Sequence, residues 1–158
     1  MAFLIEKKPE GARVVLVLKG DIDEEAELAS PDIEPGADVV LDLTDVKTIN
    51  SMGMRMWLKW VKTIPESVQL SVRRCPKMIV DQINMVAGFL PEDAKVESFF
   101  VPYYSEISSS EKLVLFEQGK EYKGGKLHVT PVVRDDSGNI MEMDVIDSYF
   151  RFIQKRRL

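Results

Sequence analysis

Residues 39–61 read VVLDLTDVKTINSMGMRMWLKWV, and this stretch decides the fold. Residues 39–43 are mostly β-branched or apolar, as in a strand that is covered on both faces. The polar residues that predict the end of this strand are Asp42, Thr44 and Asp45. We expect a helix to follow, from about Ser51 to Ile64, because the next residue is a proline and cannot continue a helix.

The start of this helix combines capping side chains with a glycine. Asn50 and Ser51 both carry side chains that can accept a hydrogen bond from the free N–H groups of a first helical turn. Gly53 lies in that turn, where the missing side chain lets another group approach the backbone closely. The apolar stripe expected to face the core consists of Met54, Trp57, Leu58 and Val61. A second stripe, part of which we expect to be exposed, consists of Met52, Met56 and Trp60.

Further strands and helices are predicted on either side of this unit. Residues 3–5 and 14–18 form two short strands around the turn Pro9-Glu10-Gly11, which favours a hairpin. The elements predicted after the helix are a strand over residues 68–72, a helix over 78–89 and a strand over 96–101. With a helix between the hairpin and residue 39, the order β-β-α-β-α-β-α-β predicts an α/β protein with a mixed sheet.

The segment that would open this additional helix is acidic. It reads Gly20-Asp21-Ile22-Asp23-Glu24-Glu25. Asp21 or Asp23 is a suitable N-cap, and the glutamates favour the positive end of a helix dipole. The alternative is that these carboxylates present a negative surface to a partner, and the sequence leaves both interpretations open.

Composition excludes several classes of function. A net charge of −5 argues against a general nucleic-acid binder, which needs surplus Lys and Arg for phosphate contacts. The single cysteine, Cys75, excludes an intrachain disulfide and a cysteine-based zinc site, and we expect it to be buried. No apolar run is long enough for a signal peptide or a membrane span, so we expect a cytoplasmic protein without membrane insertion. We also expect no enzyme and no cofactor, because the chain has no P-loop, nucleophile elbow, paired histidine or metal-binding cluster.

Three segments together resemble one known family. They are Gly20-Asp21-Ile22-Asp23 after the second strand, Val40 to Val46 (VLDLTDV) as the third strand, and Ile49 to Met54 (INSMGM) at the helix start. On these segments, residues 1–101 resemble a STAS domain, the fold of bacterial anti-sigma-factor antagonists and of sulfate-transporter tails. The resemblance implies a STAS-like mixed β-sheet with helices on one side.

The helix start departs from the family pattern at two positions. The family reads roughly Asp-Ser-Ser-Gly or Asp-Ser-Thr-Gly there, and the hydroxyl residue directly before the glycine is phosphorylated by an anti-sigma kinase. Here Asn50 replaces the Asp and Met52 takes the place of the phosphate acceptor. Because Met52 cannot carry phosphate, the resemblance implies a docking surface without the usual phospho-switch. Ser51 remains as a substitute acceptor, against the alternative that it caps the helix.

We therefore expect a non-enzymatic interaction module that binds a protein partner, an anti-sigma kinase-like protein or a related regulator. The residues expected to contact it are Asp21, Asp23, Asn50, Ser51, Met52, Gly53, Met56 and Trp60. Methionine and tryptophan side chains supply adaptable and aromatic contact area at interfaces. The alternative is a structural or homo-oligomeric subunit, including a homodimer or a subunit of a transporter-ATPase assembly.

Residues 102–158 form a C-terminal extension that the STAS pattern does not cover. The sequence predicts a β-hairpin of residues 113–116 and 127–133 around Gly124-Gly125, followed by a helix from about Asp144 to Arg156. The spacing resembles a zinc ribbon whose cysteine ligands are gone. The positions of those ligands are held by Ser105, Ser108, Arg134 and Ser137. We expect no bound zinc, with apolar side chains supplying the stability that a metal would otherwise provide.

Overall fold

The computed structural model describes residues 2–29 and 32–158. The strands of this part of the chain are β1 (Leu4–Glu10), β2 (Arg13–Ile22), β3 (Asp38–Ile49), β4 (Gln69–Arg73), β5 (Lys95–Val96), β6 (Ser98–Ser105), β7 (Ser110–Glu117), β8 (Tyr122–Lys123), β9 (Lys126–Leu127), β10 (Val133–Arg134) and β11 (Ile140–Met143). The helices are α1 (Ser51–Lys62), α2 (Lys77–Met85) and α3 (Arg151–Lys155), and a 3-10 turn over Asp147–Phe150 leads into α3. Sheets combined with helices in this order confirm the predicted α/β class.

The larger sheet contains five strands in the order β1-β2-β3-β4-β5. β1 and β2 form the predicted antiparallel hairpin, and β2 to β5 run parallel. Pro9 lies within β1, which tolerates it because β1 is an edge strand of this sheet. Gly11, with a φ of 61°, turns the chain between the paired residues Glu10 and Arg13.

The helix predicted after β2 is absent from residues 23–29, which form a turn and an irregular segment. Asp23 caps this turn instead of a helix, because its carboxylate accepts a hydrogen bond from the backbone N–H of Glu25 at 3.0 Å. Further along, the indole N–H of Trp60 donates to the carbonyl of Ala29 at 2.9 Å and holds the segment against α1.

β3 is longer than predicted, because it continues past the polar residues to Ile49. Asp42 does not end the strand, since partners on and beside the sheet satisfy its carboxylate. Thr44 donates to it from both its backbone N–H, at 3.1 Å, and its hydroxyl, at 2.7 Å. Arg73 on the neighbouring β4 donates from Nε at 3.1 Å.

The core lies between the larger sheet and the helices. Val39, Leu41 and Leu43 alternate along β3, are fully buried, and belong to one hydrophobic cluster with the buried side chains of α1 and α2. Val40, on the opposite face of β3, lies outside this cluster. Both helices therefore pack on one face of the sheet, and Cys75 is completely buried in the same cluster, as predicted.

The strand predicted over residues 96–101 is two strands that belong to different sheets. β5 ends the larger sheet, whereas β6 lies in a second, antiparallel sheet with the order β10-β11-β6-β7. The chain changes sheets at Glu97, whose carboxylate accepts a hydrogen bond from Arg13 at 2.6 Å. β6 extends across residue 101, the predicted end of the first domain.

The C-terminal extension differs from its predicted layout. β7 pairs with β6, and not with residues 127–133. Gly124 and Gly125 turn only the short β8–β9 hairpin, after which the chain leaves the sheet: the backbone N–H groups of His128 and Val129 both donate to the carbonyl of Glu121. The terminal α-helix begins at Arg151 instead of about residue 144, because the 3-10 turn precedes it.

An aromatic cluster joins the extension to the core. Phe99, at the start of β6, has ring neighbours at 5.7 Å, 5.2 Å and 5.0 Å, in Phe116, Tyr122 and Phe152 respectively. Arg156 adds polar contacts, since its guanidinium donates to the carbonyls of Pro91 and Ala94. One continuous hydrophobic cluster thus contains residues from both sides of residue 101.

Candidate partner-binding surface

The start of α1 is fixed by Asn50, which is the N-cap residue. Its Oδ1 accepts a hydrogen bond from the backbone N–H of Gly53 at 2.8 Å. Its Nδ2 donates to Oε2 of Glu24 at 2.8 Å, and this hydrogen bond lowers the pKa of Glu24. One side chain therefore caps the helix and holds the acidic loop after β2, whereas Ser51 is the first residue of the helix and not its cap.

Gly53 gives the backbone of β2 room to approach the helix, as the sequence predicts. A Cβ at this position would overlap the carbonyl of Ile22, the last residue of β2. The same carbonyl accepts a hydrogen bond from the backbone N–H of Asn50 at 3.2 Å. Gly53 is buried by this contact, so its expected role in partner binding is indirect: it sets the position of the exposed residues around it.

The acidic loop of residues 23–25 lies beside this helix start and is anchored to it through Glu24, while Asp21 at the end of β2 is bonded to β3. Glu24 is held by Asn50, and Asp21 accepts a hydrogen bond from the hydroxyl of Thr48 at 2.8 Å. Asp21 and Asp23 are half-buried, whereas Glu24 and Glu25 are exposed. A pocket of about 290 Å³ lies at the loop, and its lining residues are Ala2, Phe3, Asp21, Asp23, Glu25 and Glu27. The loop therefore presents negative charge next to the start of α1.

The second apolar stripe of α1 divides between surface and core. Met52 is 49% exposed, and Met56 is half-buried. Trp60 is 3% exposed, so the prediction that it contributes to a surface is wrong. Its ring packs on Trp57 at 5.4 Å and its N–H is held by the Ala29 carbonyl, because the close contact at Gly53 turns this side of the helix toward the sheet.

The predicted core stripe of α1 shifts correspondingly. Trp57 and Val61 are buried as expected, whereas Met54 and Leu58 are only half-buried. Trp57 stacks on Phe89 at 5.1 Å and donates its indole N–H to the carbonyl of Phe89 at 2.8 Å. The core side of the helix consists of Gly53, Trp57, Trp60 and Val61.

In the part of the chain that the structure describes, neither Cys75 nor the metal-ligating side chains form a reactive cluster. Cys75 is fully buried, and burial raises the pKa of its thiol, which disfavours the nucleophilic thiolate. Within residues 2–29 and 32–158, no group of three or more His, Cys, Asp or Glu side chains is arranged to hold a metal ion. The same residues contain no helix that is long and apolar enough to cross a membrane.

Two long-range hydrogen bonds beside this surface are missed by reasoning from the sequence. They join Asn50 to Glu24 and Thr48 to Asp21, which are 26 and 27 positions apart in the chain. No local motif marks such pairs, although the asparagine three residues before Gly53 does indicate an N-cap. No protein-family model matches the chain, and no curated protein matches it.

Proposed function

We propose that the protein is a non-enzymatic interaction module that binds a protein partner at the start of α1. The binding surface, here called the helix-start surface, consists of Asp21, Asp23, Glu24, Glu25, Ser51, Met52 and Met56. The observation that carries the proposal is Met52, a large apolar side chain that is 49% exposed on a rigidly capped helix end. A methionine side chain is flexible and polarizable, so it can adapt to a partner's surface.

The chemistry of the helix-start surface defines the kind of partner. The carboxylates of residues 21–25, at the end of β2 and on the acidic loop, favour a partner surface that is rich in Lys or Arg. The exposed side chain of Met52 requires an apolar pocket on that partner surface. Asn50 and Gly53 hold the loop and the helix in one fixed arrangement, so that little ordering is needed when the partner binds.

The resemblance to STAS domains supports a more specific proposal. The partner is an anti-sigma kinase-like protein or a related regulator in the cytoplasm, bound without a phospho-switch at position 52. Asn50 fits this interpretation, because an Asp at the same position would place a second carboxylate against Glu24. Ser51 is exposed at the first position of α1, so it remains the hydroxyl that a kinase could reach there.

Co-purification from the native cell tests this proposal. Tagged wild-type protein is compared with Met52→Asp and with Ile146→Asp, a control at a side chain that is 76% exposed outside the helix-start surface. We expect a partner that is retained by wild type and by the control and lost from Met52→Asp. Equal recovery of every partner with Met52→Asp would show that the helix-start surface is not the interface.

A second candidate function, a homo-oligomeric subunit, is favoured by the outer face of the second sheet. Strand register places Ile140 on β11, Tyr104 on β6 and Leu113 on β7 on one face, and they are 61%, 37% and 61% exposed. β7 is also an edge strand of this sheet, and free strand edges pair readily with other strands. Sedimentation over a range of concentrations tests this candidate, since Leu113→Lys would dissociate such an oligomer and leave a monomer unchanged.

A further inference from the structure

The carboxylate of Asp135 is the centre of a polar cluster in the C-terminal extension. Asp135 is 5% exposed and lies in the turn between β10 and β11. Two hydroxyl groups donate to its Oδ2, that of Ser105 at the end of β6 at 2.8 Å and that of Ser108 in the turn that follows at 2.7 Å. The carboxylate therefore joins two turns that are about 30 residues apart in the chain.

The second turn supplies the remaining donors. Oδ1 accepts the backbone N–H of Ser137 at 3.0 Å and that of Asn139 at 2.8 Å. The side-chain amide of Asn139 donates to Oδ2 at 3.0 Å. These hydrogen bonds, with that of Ser108 the most effective, hold the pKa of Asp135 well below its usual range.

This arrangement stabilises an anion, because several donors converge on the carboxylate of Asp135. Two carboxylate oxygens offer about four lone-pair sites, and five donors are directed at them. Serine hydroxyls that donate to Asp135 have their hydrogens between their oxygens and the centre of the cluster. A metal ion there would face those hydrogens and the N–H groups of the second turn.

The residues that face the centre of this cluster differ from those that the sequence spacing assigns to the ligand positions of a zinc ribbon. Ser105 and Ser108 both point to the centre of the cluster, as the zinc-ribbon resemblance implies. Arg134 points outward instead, where its guanidinium donates to the carbonyl of Gly138 at 2.9 Å. Ser137 contributes its backbone and not its side chain. Asp135, which the spacing does not single out, takes the central position.

We infer that Asp135 closes the two turns of the C-terminal extension as a carboxylate clamp, in the place where a ribbon would hold a metal ion. The clamp consists of Asp135 with Ser105, Ser108, Ser137 and Asn139. Charged side chains near it bind elsewhere: Lys112 donates to the carbonyl of Arg134 and pairs with Asp136 at 3.4 Å. The clamp thus depends on hydrogen bonds to one ionised group.

Hydrogen exchange of the intact protein tests the clamp across its two turns. Asp135→Asn keeps the shape of the side chain but removes its charge. If the amide oxygen stays on the backbone N–H groups of Ser137 and Asn139, the NH₂ group faces the side-chain amide of Asn139, and both serine hydroxyls must turn from donating to accepting. We expect exchange in residues 105–110 and 135–143 to become about tenfold faster, the effect of a lost charge-assisted hydrogen bond. The control is Asp136→Asn at a fully exposed side chain, which should leave both turns unchanged.

A second variant separates the clamp from a purely local effect. Ser105→Ala combined with Ser108→Ala alters only the first turn, yet it should also accelerate exchange at Ser137 and Asn139 in the second. Unchanged exchange there, or in Asp135→Asn, would overturn the inference. We also expect a chelator to leave exchange in both turns unchanged and elemental analysis to find no zinc. One zinc ion per chain together with chelator-sensitive turns would show that a metal, and not the carboxylate, closes them.

Discussion

The carbonyl group of Ile22 occupies the space in which a side chain on Gly53 would stand, so that β2 ends directly on the first turn of α1. Replacing Gly53 by Ala must displace either the helix or the strand, because both contacting groups are backbone. We expect Gly53→Ala to lower the free energy of unfolding by about 3 kcal/mol, the upper end for overpacking. Urea denaturation followed by the fluorescence of Trp57 and Trp60 measures the change.

Lys59→Ala is the matched control for this substitution. Lys59 is exposed on the same helix, so the introduced alanine meets no backbone group there. Lys59→Ala should change the free energy of unfolding by no more than about 0.5 kcal/mol. Equal stability of Gly53→Ala and Lys59→Ala would mean that β2 does not lie against the helix as the structure shows.

Asn50 joins helix capping to the acidic loop, and two substitutions separate these roles. Asn50→Ala removes the cap and should cost about 1 kcal/mol of unfolding free energy. Asn50→Asp keeps an oxygen for the N–H of Gly53 but cannot donate to Glu24, and its negative charge repels that carboxylate. We therefore expect Asn50→Asp to release the acidic loop while α1 remains capped. Hydrogen exchange in residues 23–29 should increase, and adding Glu24→Gln should reverse the increase.

The surroundings of the Asp42 carboxylate predict how the free energy of unfolding depends on pH. Burial raises its pKa, but the hydrogen bonds from Thr44 and Arg73 outweigh burial and hold the pKa below its ordinary value. A carboxylate whose pKa is lower in the folded state stabilises the protein above its unfolded pKa, and this stabilisation is lost as the pH falls through the folded value. Asp42→Asn should therefore cost about 1–2 kcal/mol at pH 7, allowing for partial exposure of Arg73, and much less near pH 2.

Chemical denaturation at several pH values distinguishes this effect from a general loss of packing. The control is Asp136→Asn, whose carboxylate is fully exposed and pairs with Lys112. Asp136→Asn should leave the free energy of unfolding almost unchanged at every pH. A cost for Asp42→Asn that stays constant between pH 7 and pH 2 would contradict the ion pair with Arg73.

Local sequence patterns predict where the strands and helices of this fold lie better than they predict which strands and side chains contact one another. Alternation and helical periodicity locate β3, α1 and α2, because these signals depend on neighbours within a few residues. Strand pairing is not local: residues 127–133 are apolar enough to suggest a strand beside β7, but β6 takes that place. Asp42 likewise resembles a strand end until Arg73, 31 residues later, is known to lie beside it.

The same distinction applies to the candidate sites. The pattern of residues 50–53 predicts a capped helix with a close backbone contact, and both are found. Which apolar residues remain exposed depends on how the helix is rotated against the sheet, and that rotation follows from Ile22, far away in the sequence. Trp60 is consequently buried although its spacing from Met52 places the two on one stripe. Asp135 is missed for a related reason, since its donors come from two separate turns.

Met52 and Trp60 lead to opposite expectations for stability and binding. Met52→Asp changes an exposed side chain and should alter the free energy of unfolding by less than about 0.5 kcal/mol, while abolishing capture of the partner. Trp60→Phe removes the hydrogen bond to Ala29 and part of a buried ring, so it should cost about 1–2 kcal/mol. Because Trp60 does not reach the surface, the affinity of this variant for the partner should equal that of wild type when both are folded.

Denaturation measures the free energy of unfolding, and titration with the co-purified partner measures the affinity, on the same samples. A Trp60→Phe variant that is as stable as wild type but binds less tightly would place Trp60 in the interface and contradict its position in the core.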